Sequence, residues 1–539
     1  MKAILKHLIV PHERGQVPNR WINNDIKPIE AGRRSWNFWT FHNFCVLTGS
    51  NISVYMMGSS LIAIGLNWRQ ALAVIVVGNV IVVGLLVVNS LPGMFYHIGF
   101  PLVNRYVWGL YGSLFVLWNR ILLSVVWYGF QAWVGGECIY VCLQSIWPSL
   151  ESRIPNHIPQ STGMTTAQFI AYIIFMVLSM PVMYIRPHKL QIFLYISAAA
   201  IIVFEIVILI WALATMGDSG FGGTISETSS SGSGWKIAFG IVTTIGGSAA
   251  GILNQNDFSR FARRPRDAIL GQLISFPIYS TLCAIVGILV TAATQIRYDE
   301  ALWKLPNLLS AMMKHGGSRS RAAAFFGGAA LSVSQMGLNV PANALAGGFD
   351  MAATFPKYIT LRRGAYITVV LSIACNPWKL DNTATTFLAV LSGYSIFLGP
   401  MVGLMISSYF VVMRRKIKVE GLFPACEDKG IYWYTYGVNW RAAVAWLCGI
   451  VPSLPGFVAH VDPDITVPVG LTRIYYICFI TGMVISATVY TALHFIFPEA
   501  EVKTFVDTAP SPGTLMCEYR ARWDGEGDSG EEIVEQVKP

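Results

Sequence analysis

The chain has 539 residues, of which 54% are hydrophobic and only 12% are charged, and its mean hydropathy is +0.52. Soluble domains carry about 25% charged residues, so this composition excludes a soluble globular protein and indicates an integral membrane protein. The net charge of +9 does not indicate a nucleic-acid surface, because the basic residues gather in a few loops between apolar segments.

Apolar runs long enough to cross a bilayer recur along the whole chain, separated by short joints that contain Pro, Gly and Arg. They predict an all-α, polytopic membrane protein. An N-terminal stretch (1–36) and a C-terminal tail (498–539) flank the membrane domain (37–497). About twelve transmembrane helices are expected, which we number segment one to segment twelve: 37–65, 69–91, 112–146, 168–185, 189–213, 235–256, 268–293, 322–353, 360–376, 383–412, 441–461 and 472–497.

Basic residues cluster in the loops after segments six, eight and ten, at 260–266, 357–363 and 414–418. By the positive-inside rule these loops are cytoplasmic, which places both termini in the cytosol as well. The loop after segment seven carries five basic residues and opposes this orientation.

Two apolar segments contain Gly-rich stretches near their middles: "VLTGSNIS" (46–53) in segment one and "TTIGGSAAG" (243–251) in segment six. Backbone freed from helical hydrogen bonds inside a bilayer is tolerated where it lines a cavity or is buried in protein. Breaks at corresponding positions of two inverted repeats are typical of transporters with a central binding site. Glycine used for close helix packing is the alternative.

Segment three places Trp127 and Gln131 four residues apart, so an indole and a carboxamide share one helix face. An aromatic face can stack on a flat heterocycle, while an amide offers both a donor and an acceptor to the edge of the ring. For Trp127 taken alone, interior packing or an interfacial anchor is the alternative.

Segment eight carries Gln335, Asn339 and Asn343 at four-residue spacing, a polar stripe on one face of an apolar helix. Asp350 follows two turns later. Cysteine and histidine spacings show no CxxC or HExxH pattern, so the sequence predicts neither a metal site nor a cofactor, and no enzyme activity.

Several blocks resemble the nucleobase:cation symporter-1 family, of the fungal uracil and allantoin permease type. They include "YHIGFPLVNR" (96–105), "WYGFQAWVGG" (127–136), "NQNDFSRFARRPRD" (254–267), "SQMGLNVPANALAGGFDMAATFPKYITLRRG" (334–364) and "NPWKLDNTATTFLAVLSGYSIFLGP" (376–400). The resemblance implies a LeuT-like fold with two inverted five-helix repeats, about 37–213 and 235–412, plus two further helices at 441–497. It also implies a proton-coupled importer in the plasma membrane.

The resemblance assigns site residues to this chain. Trp127 is similar to the substrate-stacking tryptophan, Gln131 to its ring-edge partner, and Asn343 to the main amide contact, with Asn339 one turn earlier. The remaining substrate-site residues lie in the Gly-rich stretches: Asn51, Gly247 and Ser248.

Three departures from the family pattern bear on ion and substrate. Gly337 and Leu338 stand where sodium-coupled relatives carry hydroxyl side chains, and a hard cation prefers oxygen ligands, so sodium coupling is disfavoured. Ser248 replaces a second stacking tryptophan of some relatives, so a larger substrate would fit. The motif "HNFCVLTGSNISVY" in segment one differs from that of the uracil permeases, which leaves the exact substrate open.

Acidic residues inside membrane helices are costly and are functional candidates by default. Asp350 is predicted to carry the coupled proton, because it shares a helix with the amides, and Glu137 is the second candidate. Glu205 in segment five and Asp257 near a cytoplasmic end are further acids, and a static hydrogen bond is the alternative for each of the four. Asp25 is predicted to fasten the N-terminal stretch over the inward opening by pairing with the Arg-rich loop after segment six.

These patterns favour a symporter that imports a nucleobase or related heterocycle by alternating access. A nucleoside or thiamine-type vitamin transporter of the same family is the alternative. A third hypothesis is a membrane sensor that binds such compounds without transporting them. It is disfavoured because the C-terminal tail is too short for a signalling domain. Oligomeric state is not readable from the sequence.

Overall fold

The computed structural model describes residues 9–10, 21, 25–63, 66–186, 189–217, 233–380, 384–424, 430–462 and 464–524. Within these ranges the regular secondary structure is helical, with two isolated β-bridges, Trp36 to Ala262 and Thr435 to Val438. The predicted all-α class is confirmed.

Segment one is formed by two helices, Phe38–Gly49 and Ile52–Ala63. Segments two to seven are single helices: Trp68–Tyr96, Gly112–Ile146, Thr166–Tyr184, Gln191–Ala214, Ser233–Asn254 and Pro265–Tyr298. Segment eight consists of an α-helix, a π-helix and a second α-helix: Ser318–Asn339, Val340–Leu345 and Ala346–Thr354. Segments nine to twelve follow as Leu361–Ile373; Ala384–Gly393, Ser395–Ser407 and the π-helix Ser408–Val412; Trp440–Ile450 and Leu454–Val461; Val469–Tyr476 and Cys478–Ile496.

Short helices that the hydropathy pattern did not predict connect and follow these segments. Phe100–Trp108 follows segment two, and Leu305–His315 follows segment seven. Beyond segment twelve, the helices Ala500–Thr508 and Pro512–Asp524 lie in the predicted C-terminal tail.

Polar residues next to the apolar runs determine where several helices begin. Asn37 accepts a hydrogen bond from the backbone N–H of Thr40, which caps segment one. Asn67 with Gln70 forms a reciprocal capping box at the start of segment two, and Thr165 does the same for segment four. Each cap satisfies backbone N–H groups that have no partner inside the helix.

In the described part of the chain, nine helices are long and apolar enough to cross a membrane, or ten if the bent pair of segment one counts as one span. Segment nine has only 13 residues, and segment eight is interrupted by its π-helix. The multi-pass architecture is therefore confirmed, whereas the number twelve is not.

The segments pack into three groups. Segments one, two, six and seven contact one another and form the first helix group, while segments three, four, eight and nine form the second. Segments ten, eleven and twelve form the third group, and segment five packs against segments one, seven and eight. Two separately packed groups that face each other provide bodies that can move relative to one another.

Segment one breaks where the sequence predicts. Its two helices meet at Ser50 and Asn51 at an angle of 42°. Segment six does not break at its predicted position. The helix Ser233–Asn254 runs without interruption through 243–251, and the chain leaves the helix only at Gln255. The predicted break at 243–251 is wrong.

The glycines of segment six serve helix packing instead. A Cβ atom on Gly246 would collide with the backbone carbonyl of Leu391 and the side chain of Ser395, both in segment ten. A Cβ atom on Gly240 would crowd Val74 of segment two. Small residues here allow two neighbouring helices to approach closely, which is the alternative that the glycine pattern left open.

Candidate substrate site

A cavity of about 130 Å³ lies between the first and second helix groups. Segments one, six and seven line one side, segments three and eight line the other, and Leu391 of segment ten contributes an edge. Six of the seven predicted substrate-site residues line this cavity: Asn51, Trp127, Gln131, Gly247, Ser248 and Asn343.

Asn51 uses its side chain to stabilise the break in segment one. Its Nδ2 donates to the carbonyls of Leu47 (3.3 Å) and Thr48 (2.9 Å). Its Oδ1 accepts from the backbone N–H of Val54 at 3.2 Å. The amide thus satisfies backbone groups on both sides of the break, which would be costly to leave unpaired in the membrane interior. Asn51 shapes the cavity, while its amide is engaged with its own segment.

Trp127 is half-buried at the cavity wall, and two aromatic rings hold its indole edge-on. Phe130 lies 5.5 Å and Tyr394 5.9 Å away between ring centroids, both in T-shaped geometry. The hydroxyl of Tyr394 donates to the carbonyl of Gly246 at 2.5 Å. At Gly247, also in segment six, a Cβ atom would make ordinary van der Waals contact, with Met57 as its nearest neighbour at 3.8 Å.

Gln131 is fixed through its amide oxygen. Oε1 accepts from the hydroxyl of Ser53 at 3.3 Å and from Nε2 of Gln335, which also donates to the backbone carbonyl of Gln131 at 3.2 Å. Within the described chain no residue accepts a hydrogen bond from Nε2 of Gln131, so that group is available to a ligand in the cavity.

Asn339 and Asn343, two amides of the polar stripe on segment eight, have different positions relative to the cavity. Asn343 lines the cavity and donates from Nδ2 to Oδ1 of Asn339 at 2.9 Å. Asn339 is buried, does not line the cavity, and donates to the carbonyl of Tyr128 at 3.1 Å. Asn339 is therefore placed as a positioning residue behind Asn343, and the prediction that it contacts substrate directly is not matched by its position.

The four predicted acids are all buried, and none lines the cavity. Neither carboxylate oxygen of Asp350 has a hydrogen-bond partner among the described residues. Asp350 lies within electrostatic range of Arg120 and Asp257, and Arg120 itself lines the cavity. Glu205 lies near Ser50 and Cys283, beside the break in segment one, and its Oε1 has no hydrogen-bond partner among the described residues.

Arg120 connects the cavity with the buried acids. It is buried and donates to the hydroxyl of Ser124 and, from Nη2, to the side-chain oxygen of Asn254 in the amide orientation that satisfies both groups. Asp257 accepts from the backbone N–H of Phe100 at 2.9 Å, at the start of the helix Phe100–Trp108. A buried charge is costly unless an opposite charge compensates it. A change in the charge of Asp350 or Asp257 is therefore expected to alter the environment of Arg120.

Asp25 links the N-terminal stretch to segment nine and to the loop after segment six by hydrogen bonds that each involve one backbone group and one side chain. Its Oδ2 accepts from the N–H of Leu361 at the start of segment nine (2.9 Å), and its carbonyl accepts from Nη1 of Arg260 (3.3 Å). The contact with the loop after segment six runs through the Asp25 backbone carbonyl and the carboxylate bonds segment nine, so the charge pairing of Asp25 with that loop stays a prediction.

Sequence reasoning missed several cavity residues. Ser53 and Thr48 flank the predicted break, so their proximity to it was a usable signal. Arg120 is a lone arginine inside an apolar segment, which by itself marks a functional candidate. In the described ranges no group of three or more His, Cys, Asp or Glu residues is placed to hold a metal ion.

The fold and the site together indicate the functional class of this membrane protein. Two packed helix groups border a cavity at a bent helix and a π-helix, lined by a few amide and hydroxyl groups among apolar side chains, in a chain with at least nine described helices long enough to cross a membrane. This is the construction of a secondary transporter.

The family follows from sequence comparison. A profile described as "Permease for cytosine/purines, uracil, thiamine, allantoin" matches residues 28–482, and the chain belongs to this family. The allantoin permease of Saccharomyces cerevisiae is 35% identical over 484 residues, covering 88% of this chain and 76% of the relative. The uracil permease of the same yeast is 33% identical with the same coverage, and the transporter aclS of Aspergillus oryzae is 34% identical over 95% of this chain and 92% of the relative.

Among solved structures, Mhp1, a nucleobase-cation-symport-1 family transporter, shares the fold. Its closed conformation with bromovinylhydantoin bound matches with a TM-score of 0.68 at 19% identity, covering 94% of this chain and 99% of Mhp1. Its inward-facing conformation gives a TM-score of 0.69 with the same identity and coverage. The chain is thus a permease of the nucleobase:cation symporter-1 type with a LeuT-like fold, and the family is one of transporters of small heterocycles, not of enzymes.

Proposed function

We propose that this permease imports a nucleobase or a related heterocycle, such as uracil, allantoin or a purine, across the plasma membrane together with a proton. The observation that carries the proposal is the convergence of Trp127, Gln131 and Asn343 on one cavity. The indole offers a stacking face, and the two amides offer polar groups to a ring edge.

The hydrogen bonds around the site leave complementary groups for the substrate. Gln131 retains its Nε2 donor, because its oxygen is held by Ser53 and Gln335. Asn343 retains its Oδ1 acceptor, because its Nδ2 is bonded to Asn339. A ring that carries both a carbonyl and an N–H group, as nucleobases and allantoin do, matches this donor and this acceptor. A compound with acceptors alone would leave Oδ1 unpaired, which is costly when buried.

Proton coupling through Asp350 is supported by its connection to the cavity. Arg120 lines the cavity and interacts electrostatically with Asp350. Substrate binding next to Arg120 changes the environment of that cation, and with it the preference of Asp350 for its proton. Protonation would remove one buried charge and alter the attraction between segments three and eight.

Sodium coupling is disfavoured by packing as well as by composition. Gly337 lies against Ser197 of segment five, where even a Cβ atom would overlap the serine side chain. Position 337 therefore has no room for the hydroxyl side chain that sodium-coupled relatives carry, and Leu338 offers no oxygen ligand.

The basic loops support an orientation with both termini in the cytosol. The helices Ala500–Thr508 and Pro512–Asp524 and the N-terminal stretch contact elements on the side of these loops. The positive-inside rule assigns this side to the cytoplasm.

Uptake of labelled uracil and labelled allantoin by cells that lack their own permeases tests the proposal. We expect uptake that rises as external pH falls, collapses with a protonophore and does not change when choline replaces sodium. Competition by unlabelled bases, allantoin, nucleosides and thiamine identifies the substrate class. Preferential competition by uridine or thiamine would favour the alternative substrate class, and binding of a base without any accumulation would favour a sensor.

A further inference from the structure

A second cavity, of about 130 Å³, shares no lining residue with the substrate site and lies where segments ten and twelve meet the helix Ala500–Thr508. Two cations, Arg414 and Lys503, line it together with His494, Glu499 and Asp507. It adjoins the basic loop 414–418. We call it the basic cavity.

The basic cavity opens into an apolar groove of about 560 Å³ between segments ten and twelve. Val411, Thr491 and Phe495 belong to both, so the groove and the cavity are continuous. The rest of the groove is lined mostly by apolar side chains, including Phe410 and Ala492. Phe495 is 71% exposed and Ile496 is 66% exposed, as expected of side chains that face lipid.

The local structure keeps this arrangement open. The final turn of segment ten is the π-helix Ser408–Val412, which is wider than an α-helical turn. Lys416 then donates from Nζ to the carbonyls of Val506 (2.7 Å) and Ala509 (2.8 Å), which caps the C-terminal end of the helix Ala500–Thr508. The helix is thereby held beside segment twelve, with the basic cavity between them.

Two cations and two carboxylates line the basic cavity, and the ion pairs among the described residues leave one of these cations unpaired. Glu499 is paired with Arg441 at 3.5 Å, and Asp507 with Arg414 at 3.2 Å. In the described structure Lys503 has no ion pair, and three further basic residues follow Arg414 in the loop: Arg415, Lys416 and Lys418. An anionic group of suitable size therefore completes the set better than a cationic one.

We propose that the basic cavity and the groove form a binding site for an anionic phospholipid. The headgroup phosphate contacts Lys503 and Arg414, and one acyl chain occupies the groove between segments ten and twelve. The lipid thereby joins segments ten and twelve to the helix Ala500–Thr508, on the side of the molecule that carries the basic loop.

The test is a titration of the purified, detergent-solubilised full chain with phosphatidylserine, and separately with phosphatidylcholine, in which native mass spectrometry measures the lipid-bound fraction. We expect one phosphatidylserine bound per chain, more tightly than phosphatidylcholine. Arg414→Ala combined with Lys503→Ala should weaken phosphatidylserine binding about tenfold or more, because two charge-assisted contacts are lost. Lys189→Ala, in the loop after segment four, is the matched control and should bind as the unaltered chain does.

Two further variants separate lipid binding from a purely structural role of these residues. Asp507→Asn frees Arg414 from its carboxylate partner and should tighten phosphatidylserine binding by up to about fivefold. Ala492→Trp fills the groove and should weaken binding, whereas Val484→Trp, exposed on the same segment but outside the groove, should not. Equal binding of both lipids, or unaltered binding by both the Arg414→Ala/Lys503→Ala chain and the Ala492→Trp chain, would overturn the proposal. The readout does not involve uptake, so it is independent of the substrate and of the coupling ion.

Discussion

Asn343 donates a hydrogen bond to the side-chain oxygen of Asn339 at 2.9 Å, and this bond joins the cavity surface to a buried partner. Asn339 is in turn anchored to the carbonyl of Tyr128 in segment three. The amide that faces the cavity is therefore oriented from behind by a second amide, which receives its own orientation from the neighbouring segment.

The first prediction separates these two roles. Asn343→Ala should raise KM by about 5- to 150-fold, because a buried carboxamide that bonds a polar ring edge contributes about 1–3 kcal/mol to binding. Asn339→Ala should raise KM by a smaller factor, because Asn343 stays in place but loses its orienting partner. Uptake kinetics at equal surface abundance measure both. Asn119→Ala, at a position outside the cavity, is the control, and a larger loss for Asn339→Ala than for Asn343→Ala would contradict the assignment.

The second prediction concerns the stacking face. Trp127→Ala should raise KM by about 5- to 150-fold, since stacking of a base on an aromatic ring is worth about 1–3 kcal/mol. Trp127→Phe should retain most of the uptake, because it keeps an aromatic face. Trp118 is the matched control: it lies in the same segment but is 52% exposed outside the cavity, so Trp118→Ala should transport normally. Equal loss in Trp127→Ala and Trp118→Ala would point to a packing role for both residues.

The third prediction identifies the proton-linked acid. Asp350→Asn imitates the permanently protonated side chain, so we expect it to bind substrate but not to accumulate it against a gradient. Glu205→Gln provides the comparison, because Glu205 is also buried and lies beside the break in segment one. Substrate binding and steady-state accumulation are measured separately in sealed vesicles. Accumulation by Asp350→Asn, combined with its loss in Glu205→Gln, would move the coupling role to segment five.

The fourth prediction concerns the N-terminal stretch. Asp25→Ala removes the acceptor of the Leu361 N–H group, a cap-like contact worth about 0.5–2 kcal/mol, and should change the transport rate or the selectivity across a substrate panel. Glu30→Ala is the control on the same stretch. The hydrogen bond from the buried Lys27, at 2.6 Å, lowers the pKa of Glu30, but the Glu30 side chain is 50% exposed and the pair spans only three residues. Wild-type kinetics in Asp25→Ala would show that the stretch does not act in transport.

The fifth prediction tests the packing of segment six. Gly246→Ala places a methyl group against the carbonyl of Leu391, and overpacking of this kind costs about 1–3 kcal/mol. We expect a lower thermal unfolding midpoint in detergent. Gly251→Ala, whose Cβ would stand in open space, should leave the midpoint unchanged. If both variants unfold alike, the close contact between segments six and ten is not what Gly246 provides.

The sequence was sufficient for most of the fold. Segment three was predicted at 112–146 and is Gly112–Ile146, and most other boundaries differ by a few residues, because hydropathy and helix caps act locally. Whether segment six is broken or continuous was not predictable from local sequence in the same way. A run of glycines favours either an unwound backbone or close packing, and the choice depends on Leu391, which is distant in sequence.

The candidate site was predictable to the same extent. Trp127, Gln131 and Asn343 were identified from spacing on single helices and from the family resemblance, and these three residues line the cavity. The distinction between Asn339 and Asn343 was not predictable, because four-residue spacing places both on one face and does not say which one a neighbouring helix covers.

The π-helix Val340–Leu345 has a consequence for the phase of segment eight. Each residue of an α-helix advances the side-chain direction by about 100°, so a turn that accommodates an extra residue resets the direction of everything after it. Asp350 therefore cannot be assigned to a face by counting from Asn339. Deleting one residue of this turn would rotate Asp350 by about 100° relative to Asn339 while leaving the chemistry of both side chains unchanged. Relatives that differ by one residue here would share the same composition of segment eight yet direct its acid toward different neighbours.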